Sequence, residues 1–171
     1  MVPTVETARL RLRALHETDL DAHAALLGDP ETVRFLGGHI VSREDAWRKL
    51  LSGFGMWAIL GFGYWTVEDR ADGTYLGQVG FADFKRGVMP PVEGLPEMGW
   101  MLSPRAQGKG IATEAALGAL AWADQTWGRR EIVAIIDEAN IASIRVAEKT
   151  GFSSHEPATY KDEPILIFRR R

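Results

Sequence analysis

One stretch of the sequence, Arg105 to Ala115, has the residue types and spacing of an anion-binding turn. Its two glycines, Gly108 and Gly110, follow a short apolar run and precede the longest helical pattern in the chain. Glycine lets the backbone approach a ligand closely, and the unpaired N–H groups at a helix N-terminus favour negative charge. The stretch is therefore predicted to hold a phosphate or a pyrophosphate.

The spacing within this stretch excludes two common phosphate sites. A nucleoside-triphosphate loop needs glycine at position 103 and Ser or Thr after the lysine, where Ser103 and Gly110 stand. A dinucleotide-binding turn needs a third glycine or an alanine at the position of Thr113. The pattern that remains is R-x-x-G-x-G over residues 105–110, and its alternative interpretation is a structural glycine-rich turn.

The pattern resembles the loop that holds the coenzyme A pyrophosphate in the GNAT superfamily of acyl-CoA N-acyltransferases. Residues 140–152 are similar to the second cofactor segment of that family, in which Asn opens a short helix that ends in Gly-Phe. Residues 7–13 and 77–81 are similar to the RimJ/RimL branch, named for ribosomal-protein N-terminal acetyltransferases. The four segments span nearly the whole chain, and their order makes the resemblance specific.

The resemblance implies a fold, a cosubstrate and a set of binding residues. The fold is the α/β (α+β) GNAT fold, a mixed twisted sheet with one splayed pair of parallel strands and helices on both faces. The cosubstrate is acetyl-CoA, with no metal, and its pantetheine arm is expected to pair with the strand over residues 98–102. The predicted cofactor-binding residues are Met101, Leu102, Arg105, Gln107, Gly108, Lys109, Gly110, Ile111, Ala112, Thr113, Asn140 and Ser143. For Arg105 and Lys109 the alternative is a solvated side chain, and for Asn140 it is a helix cap.

Acetyl transfer to an amine needs a base that takes the proton of the ammonium and a donor that assists the leaving thiolate. The resemblance assigns the base to Glu97, at the head of the strand that leads to the glycine turn; the alternative is a structural ion pair with a nearby Arg or Lys. Many family members carry Tyr seven residues after the Asn, where this sequence has Ala147. The donor is therefore predicted to be Ser143, as in the RimL-like branch, with support of the Asn140 cap as its alternative role.

Composition limits the class of protein. With 171 residues, 46% of them apolar and 25% charged, the chain is expected to form one globular domain over residues 1–171. The absence of Cys excludes disulfides, thiolate zinc sites and a Cys nucleophile, and no pair of the four His has metal-ligand spacing. A net charge of −3 gives no sign of nucleic-acid binding, and the apolar run over 56–65 is too short for a membrane span. We expect a cytoplasmic protein, either a monomer or a homodimer.

Hydrophobic periodicity predicts the elements that position these residues. Strands are expected over residues 9–13 (at a sheet edge), 64–67, 75–84, 97–102, 131–137 and 164–169. Helices are expected to begin after a cap at Thr18 or Asp19, after Ser42, after the glycine turn and after Asn140. The strands on either side of the helix after the glycine turn should be parallel, because that helix is a crossover connection. Residues 85–96 are expected to form a functional loop, since they hold three Pro and two Gly.

The function predicted from these residues is acetyl transfer from acetyl-CoA to a primary amine by direct attack. The resemblance favours a protein or peptide N-terminus as the acceptor, and it implies that residues 35–41 and 85–96 line the acceptor pocket. Two alternatives remain: an acetyltransferase for a small-molecule amine such as an antibiotic, and a non-catalytic acyl-CoA-binding module.

Overall fold

The structure, a computed structural model, describes residues 1–171 and contains nine strands and five α-helices. The strands are β1 (Val5–Glu6), β2 (Leu10–Arg13), β3 (Tyr64–Asp69), β4 (Tyr75–Ala82), β5 (Val88–Met89), β6 (Glu97–Leu102), β7 (Ile132–Asp137), β8 (Ser154–Tyr160) and β9 (Glu163–Arg170). The helices are α1 (Leu20–Leu27), α2 (Pro30–Val33), α3 (Arg43–Leu60), α4 (Ile111–Trp127) and α5 (Ile141–Lys149). No helix combines the length and the apolar character that a bilayer span would need.

All nine strands form one sheet in the order β1-β2-β3-β4-β6-β7-β9-β8-β5. Every neighbouring pair is antiparallel except β6 and β7, which are parallel and in register only where Glu97 faces Val133. Beyond that point the two strands diverge and leave their facing backbone groups unpaired with each other. The predicted mixed sheet with one splayed parallel pair is confirmed.

Helices cover both faces of the sheet, as predicted. The main core joins α4 and α5 to apolar side chains of the central strands, including the fully buried Trp65 and Phe81. The alanines of α4 allow close contact, and Ala116, Ala119 and Ala123 are buried. On the opposite face, a smaller cluster from α1 to α3 packs against Met101 of β6.

The segment between β4 and β6 takes a long path even though these two strands are neighbours. It reaches the far edge of the sheet, where its strand β5 pairs with β8. Val88 and Val92 of this segment are buried against Val133 and Ile167. The segment predicted to be a loop therefore covers the half of the sheet that the α1 to α3 helices leave open.

Helix ends follow local rules with one exception. Ser42 caps α3 by accepting a hydrogen bond from the Asp45 N–H, as predicted. Gly151 has a φ of 91°, and the Phe152 N–H donates to the Ala147 carbonyl, which closes α5 as predicted. The predicted cap of the first helix at Thr18 or Asp19 is wrong.

The first helix is instead preceded by a 3₁₀ turn, Glu17–Asp19, which His16 caps. Asp19 is unavailable as a cap because its carboxylate accepts hydrogen bonds from Arg13, from Thr66 and from the His16 backbone N–H. The predicted edge position of the strand at residues 9–13 is also wrong, since β1 pairs outside β2. Tertiary contacts override the local signal in both cases.

Candidate active site

The predicted glycine turn is the most clearly built part of the site. Gly108 and Gly110 have φ angles of 71° and 73°, a region that side chains with a Cβ rarely adopt. Gly110 precedes α4 without any side-chain cap, so the N–H groups of the first helical turn are left without a capping partner. A Cβ at Gly108 would have no protein atom within 4 Å. The turn is therefore an open concavity of backbone N–H groups at the positive end of a 17-residue helix, which suits an anion.

The side chains around this turn contribute less than its backbone. Arg105 and Lys109 are exposed, and neither forms an ion pair with another residue of the chain. Ile111 is buried in the core, while Ala112 and Thr113 are half-buried. The predicted binding residues from Arg105 to Thr113 thus come together as one turn, and an anion there would contact mainly main-chain groups.

An ion pair that the sequence did not indicate holds this turn in place. Glu114, in the first turn of α4, accepts hydrogen bonds from the Thr7 hydroxyl and from the backbone N–H and Nε of Arg9, at 2.6 to 2.8 Å. Arg9 also donates to the carbonyl of Lys109 at 3.0 Å. These contacts join the start of the chain to the glycine turn. The sequence holds one signal for Glu114: an acidic side chain in the first turn of a helix interacts favourably with the helix dipole.

We expect Glu114→Ala to destabilise the fold by about 1 to 3 kcal/mol, because hydrogen bonds to a charged group are each worth about 1.5 to 3 kcal/mol and part of that is lost to solvent screening. Urea unfolding of the variant and of the wild type would measure the difference. Glu138→Ala is the matched control, since Glu138 is exposed and has no ion-pair partner. Equal unfolding free energies for Glu114→Ala and the wild type would contradict a supporting role.

The start of α5 faces β6 across the diverging strands. Asn140 caps the helix by accepting a hydrogen bond from the Ser143 N–H at 3.1 Å. The Ser143 hydroxyl accepts a hydrogen bond from the Trp100 Nε1–H at 3.2 Å. Because the Asn140 cap binds the backbone N–H of Ser143, the Ser143 hydroxyl group is not part of the cap. This hydroxyl group only accepts a hydrogen bond, so its own proton is free for donation to another group.

Glu97 and Ser143 approach the splayed strands from opposite faces of the sheet. Alternate residues of a strand point to opposite faces, so Glu97 shares a face with Gly99 and Met101, whereas Trp100 points to the face of α5. A base on one face and a hydrogen-bond donor on the other suit a group held between the strands.

Glu97 is 8% exposed and forms an ion pair with Arg86, with Oε1 and Nη2 separated by 3.0 Å. Burial raises the pKa of Glu97 to about 7; the positive charge of Arg86 opposes this shift, and the negative charge of Asp83 adds to it. The carboxyl group therefore exchanges its proton near neutral pH, as a general base must. The ion pair also matches the structural role that the sequence left open for Glu97.

Sequence reasoning did not find Arg86. The residue comes from the segment that crosses the sheet, and its guanidinium lies 4.6 Å from the ring centre of Phe84 and 5.3 Å from that of Tyr160. Its only signal in the sequence is its place in a long segment with three prolines. That segment lines a cleft next to Glu97, which includes Asp83, Val92 and Leu95.

Comparison with known proteins identifies the family that this geometry belongs to. The family model described as an acetyltransferase (GNAT) domain matches residues 9–153. The Bacillus subtilis protein YkkB is 30% identical over 173 aligned residues, which cover 96% of this chain and 94% of YkkB.

Two solved structures of bacterial proteins share the whole fold. A Bordetella pertussis protein assigned to the GnaT acetyltransferase family has a TM-score of 0.86 and 28% identity, over 99% of this chain and all of that one. An acetyltransferase of Agrobacterium tumefaciens has a TM-score of 0.85 and 27% identity, over 100% of this chain and 95% of the other.

Proposed function

The chain belongs to the GNAT acetyltransferase family and is an acyltransferase, and from that premise we propose that it transfers the acetyl group of acetyl-CoA directly to a primary amine. The observation that carries the proposal is the open N-terminus of α4 behind two glycines with positive φ, beside a splayed strand pair that holds the buried Glu97 at its head. The turn suits the pyrophosphate of the cosubstrate. The diverging backbones of β6 and β7 suit its pantetheine arm, which carries amide groups that can pair with an open strand.

The chemistry assigned to the site has two proton movements. Glu97 takes a proton from the acceptor ammonium, and the nitrogen lone pair then attacks the carbonyl carbon of the thioester. The C–N bond forms, the C–S bond breaks and its electron pair remains on sulfur. The nitrogen loses its second proton once it is acylated, and that proton passes through water to the thiolate. The Ser143 hydroxyl donates a hydrogen bond to the thiolate and keeps its own proton. No covalent acyl-enzyme is required, in keeping with the absence of Cys.

For the acceptor we propose a protein or peptide N-terminus, which follows from the resemblance of residues 7–13 and 77–81 to the RimJ/RimL branch. A small-molecule amine is the alternative within the same chemistry. A thiol-release assay with acetyl-CoA would decide between them, using peptides that begin with Ala, Ser or Thr, then polyamines and then aminoglycosides. Turnover with peptides alone supports the first acceptor class, and turnover with small amines alone excludes it.

One observation favours a rival function, a non-catalytic acyl-CoA-binding module. Glu97 is occupied by Arg86, so an ion pair with no further role would explain its burial. Burial is the main cause of the raised pKa of Glu97 and would act on a structural or a catalytic carboxyl group alike, so an activity measurement decides between the two functions. Binding of acetyl-CoA without thiol release for any amine would support the module.

Acetyl-CoA is expected to raise the thermal unfolding midpoint. A ligand at about 100 times its dissociation constant stabilises the native state by roughly 2.7 kcal/mol. Differential scanning fluorimetry with acetyl-CoA, CoA, ATP and NAD would measure the shift. A larger shift with NAD than with acetyl-CoA would contradict the assignment of the glycine turn to coenzyme A.

A further inference from the structure

A tyrosine outside the predicted site places its hydroxyl group next to Glu97 on the sheet. Tyr64 of β3 faces Gly80 of β4, and Gly80 faces Gly99 of β6. Residues that face one another across neighbouring strands lie on the same side of a sheet. Because both facing positions are glycine, the phenol ring can reach across β4 to β6.

The hydroxyl takes the place where a side chain at Gly99 would stand. A Cβ built on Gly99 would lie 2.2 Å from Tyr64 Oη and 3.3 Å from Cζ of the ring. The neighbours of Gly99 on the same face are Glu97 and Met101. Oη therefore lies between the base candidate and the half of β6 that leads to the glycine turn.

The surroundings of Tyr64 fix its ring and leave its hydroxyl free. The Trp57 indole N–H donates to the Tyr64 carbonyl at 2.9 Å, and the Phe84 ring lies 6.5 Å from the Tyr64 ring. Tyr75, on the same face, pairs its hydroxyl with His23 at 3.2 Å, whereas Tyr64 Oη makes no hydrogen bond to the protein. Burial and the charge of Glu97 raise the pKa of Tyr64, so the phenol stays protonated through the neutral range.

We propose that the Tyr64 hydroxyl donates a hydrogen bond to the carbonyl oxygen of the acetyl thioester, on the geometry of Oη over Gly99 beside Glu97. The inference rests on the proposed function and adds to it a residue that stabilises the developing charge. As the nitrogen attacks the carbonyl carbon, the electron pair of the C=O π bond moves to the oxygen. The phenol O–H of Tyr64 donates a hydrogen bond to that oxygen. The pair returns as the thiolate leaves, and the phenol keeps its proton throughout.

The test is Tyr64→Phe, which keeps the ring and removes the hydroxyl. We expect kcat to fall about 10²-fold, the lower end of the effect of one such donor, with an unchanged dissociation constant for acetyl-CoA. The loss should be the same from pH 6 to pH 9, because the phenol does not titrate there. Tyr75→Phe is the matched control, a tyrosine of the same face whose hydroxyl has another partner, and it should keep full activity.

A second variant tests the position of the hydroxyl. In a protein that keeps Tyr64, Gly99→Ala should displace Oη and lower kcat. In the Tyr64→Phe background the same change should lower kcat little further, because the nearest ring atom, Cζ, lies 3.3 Å from the new Cβ. A double-mutant cycle of the two changes measures this coupling. Additive losses would contradict the placement of the hydroxyl over Gly99.

Three outcomes overturn the inference. Full activity of Tyr64→Phe in a protein that acetylates amines removes Tyr64 and leaves the proposed function intact. A loss that shrinks as the pH rises assigns Tyr64 to deprotonation of the amine and excludes the carbonyl contact. A wild-type protein that acetylates no amine removes the proposed function and this inference together.

Discussion

Glu97→Gln is expected to lower kcat/KM about 10² to 10⁴-fold at pH 7, the usual effect of removing a positioned general base. The amide has nearly the shape of the carboxyl group and can still accept a hydrogen bond from Arg86. Fold and acetyl-CoA affinity should therefore be retained. The affected step is removal of the proton from the acceptor ammonium.

The pH dependence distinguishes this role from a structural one. In the wild type, kcat/KM should rise as Glu97 loses its proton, with an inflection near its pKa of about 7. The variant lacks this inflection and should regain part of its deficit at high pH, where more of the acceptor is already deprotonated. A pH series of kcat/KM for both proteins on an accepted amine measures the difference.

Two further variants make the comparison sharper. Arg86→Gln removes the cation that lowers the pKa of Glu97, so the inflection should move to higher pH. Glu163→Gln is the control, an exposed carboxylate that forms no ion pair and lies outside the cleft next to Glu97. Equal kcat/KM values for Glu97→Gln and the wild type at every pH would assign Glu97 to a structural ion pair and strengthen the binding-module alternative.

The parts of the site that the sequence predicted are those fixed by local backbone chemistry. Two glycines before a helical pattern are enough to predict positive φ and open amides, and Asn140 is close enough in the chain to cap its own helix. The splayed strand pair followed from the crossover helix between its strands and from the resemblance. Each of these features depends on residues a few positions apart or on a single connection.

The parts that the sequence did not predict depend on residues far apart in the chain. Arg9 and Glu114 are separated by 105 positions, and their contact requires β2 to lie beside the start of α4. Arg86 reaches Glu97 only because its segment crosses half of the sheet to pair with β8. Tyr64 meets Gly99 through the order β3-β4-β6, which no local pattern contains.

The second large effect is expected at the glycine turn, where Gly108→Val or Gly110→Val should weaken acetyl-CoA binding about 10²-fold or more. A β-branched residue at a φ near 70° is strained by about 1 to 3 kcal/mol, and the turn should relax to another conformation. Relaxation turns the backbone N–H groups away from the pyrophosphate. The loss of two such charge-assisted hydrogen bonds accounts for a change of that size.

A glycine with a similar positive φ far from the candidate site provides a control for backbone strain. Gly73, in the turn between β3 and β4, has a φ of 76° and open space around its Cβ position, as Gly108 does. Gly73→Val should therefore lower the unfolding free energy about as much as Gly108→Val and leave the affinity for acetyl-CoA unchanged. Titration calorimetry and urea unfolding on the three variants separate strain from ligand binding. If a folded Gly108→Val protein binds acetyl-CoA as tightly as Gly73→Val does, the turn is a structural feature and the pyrophosphate binds elsewhere.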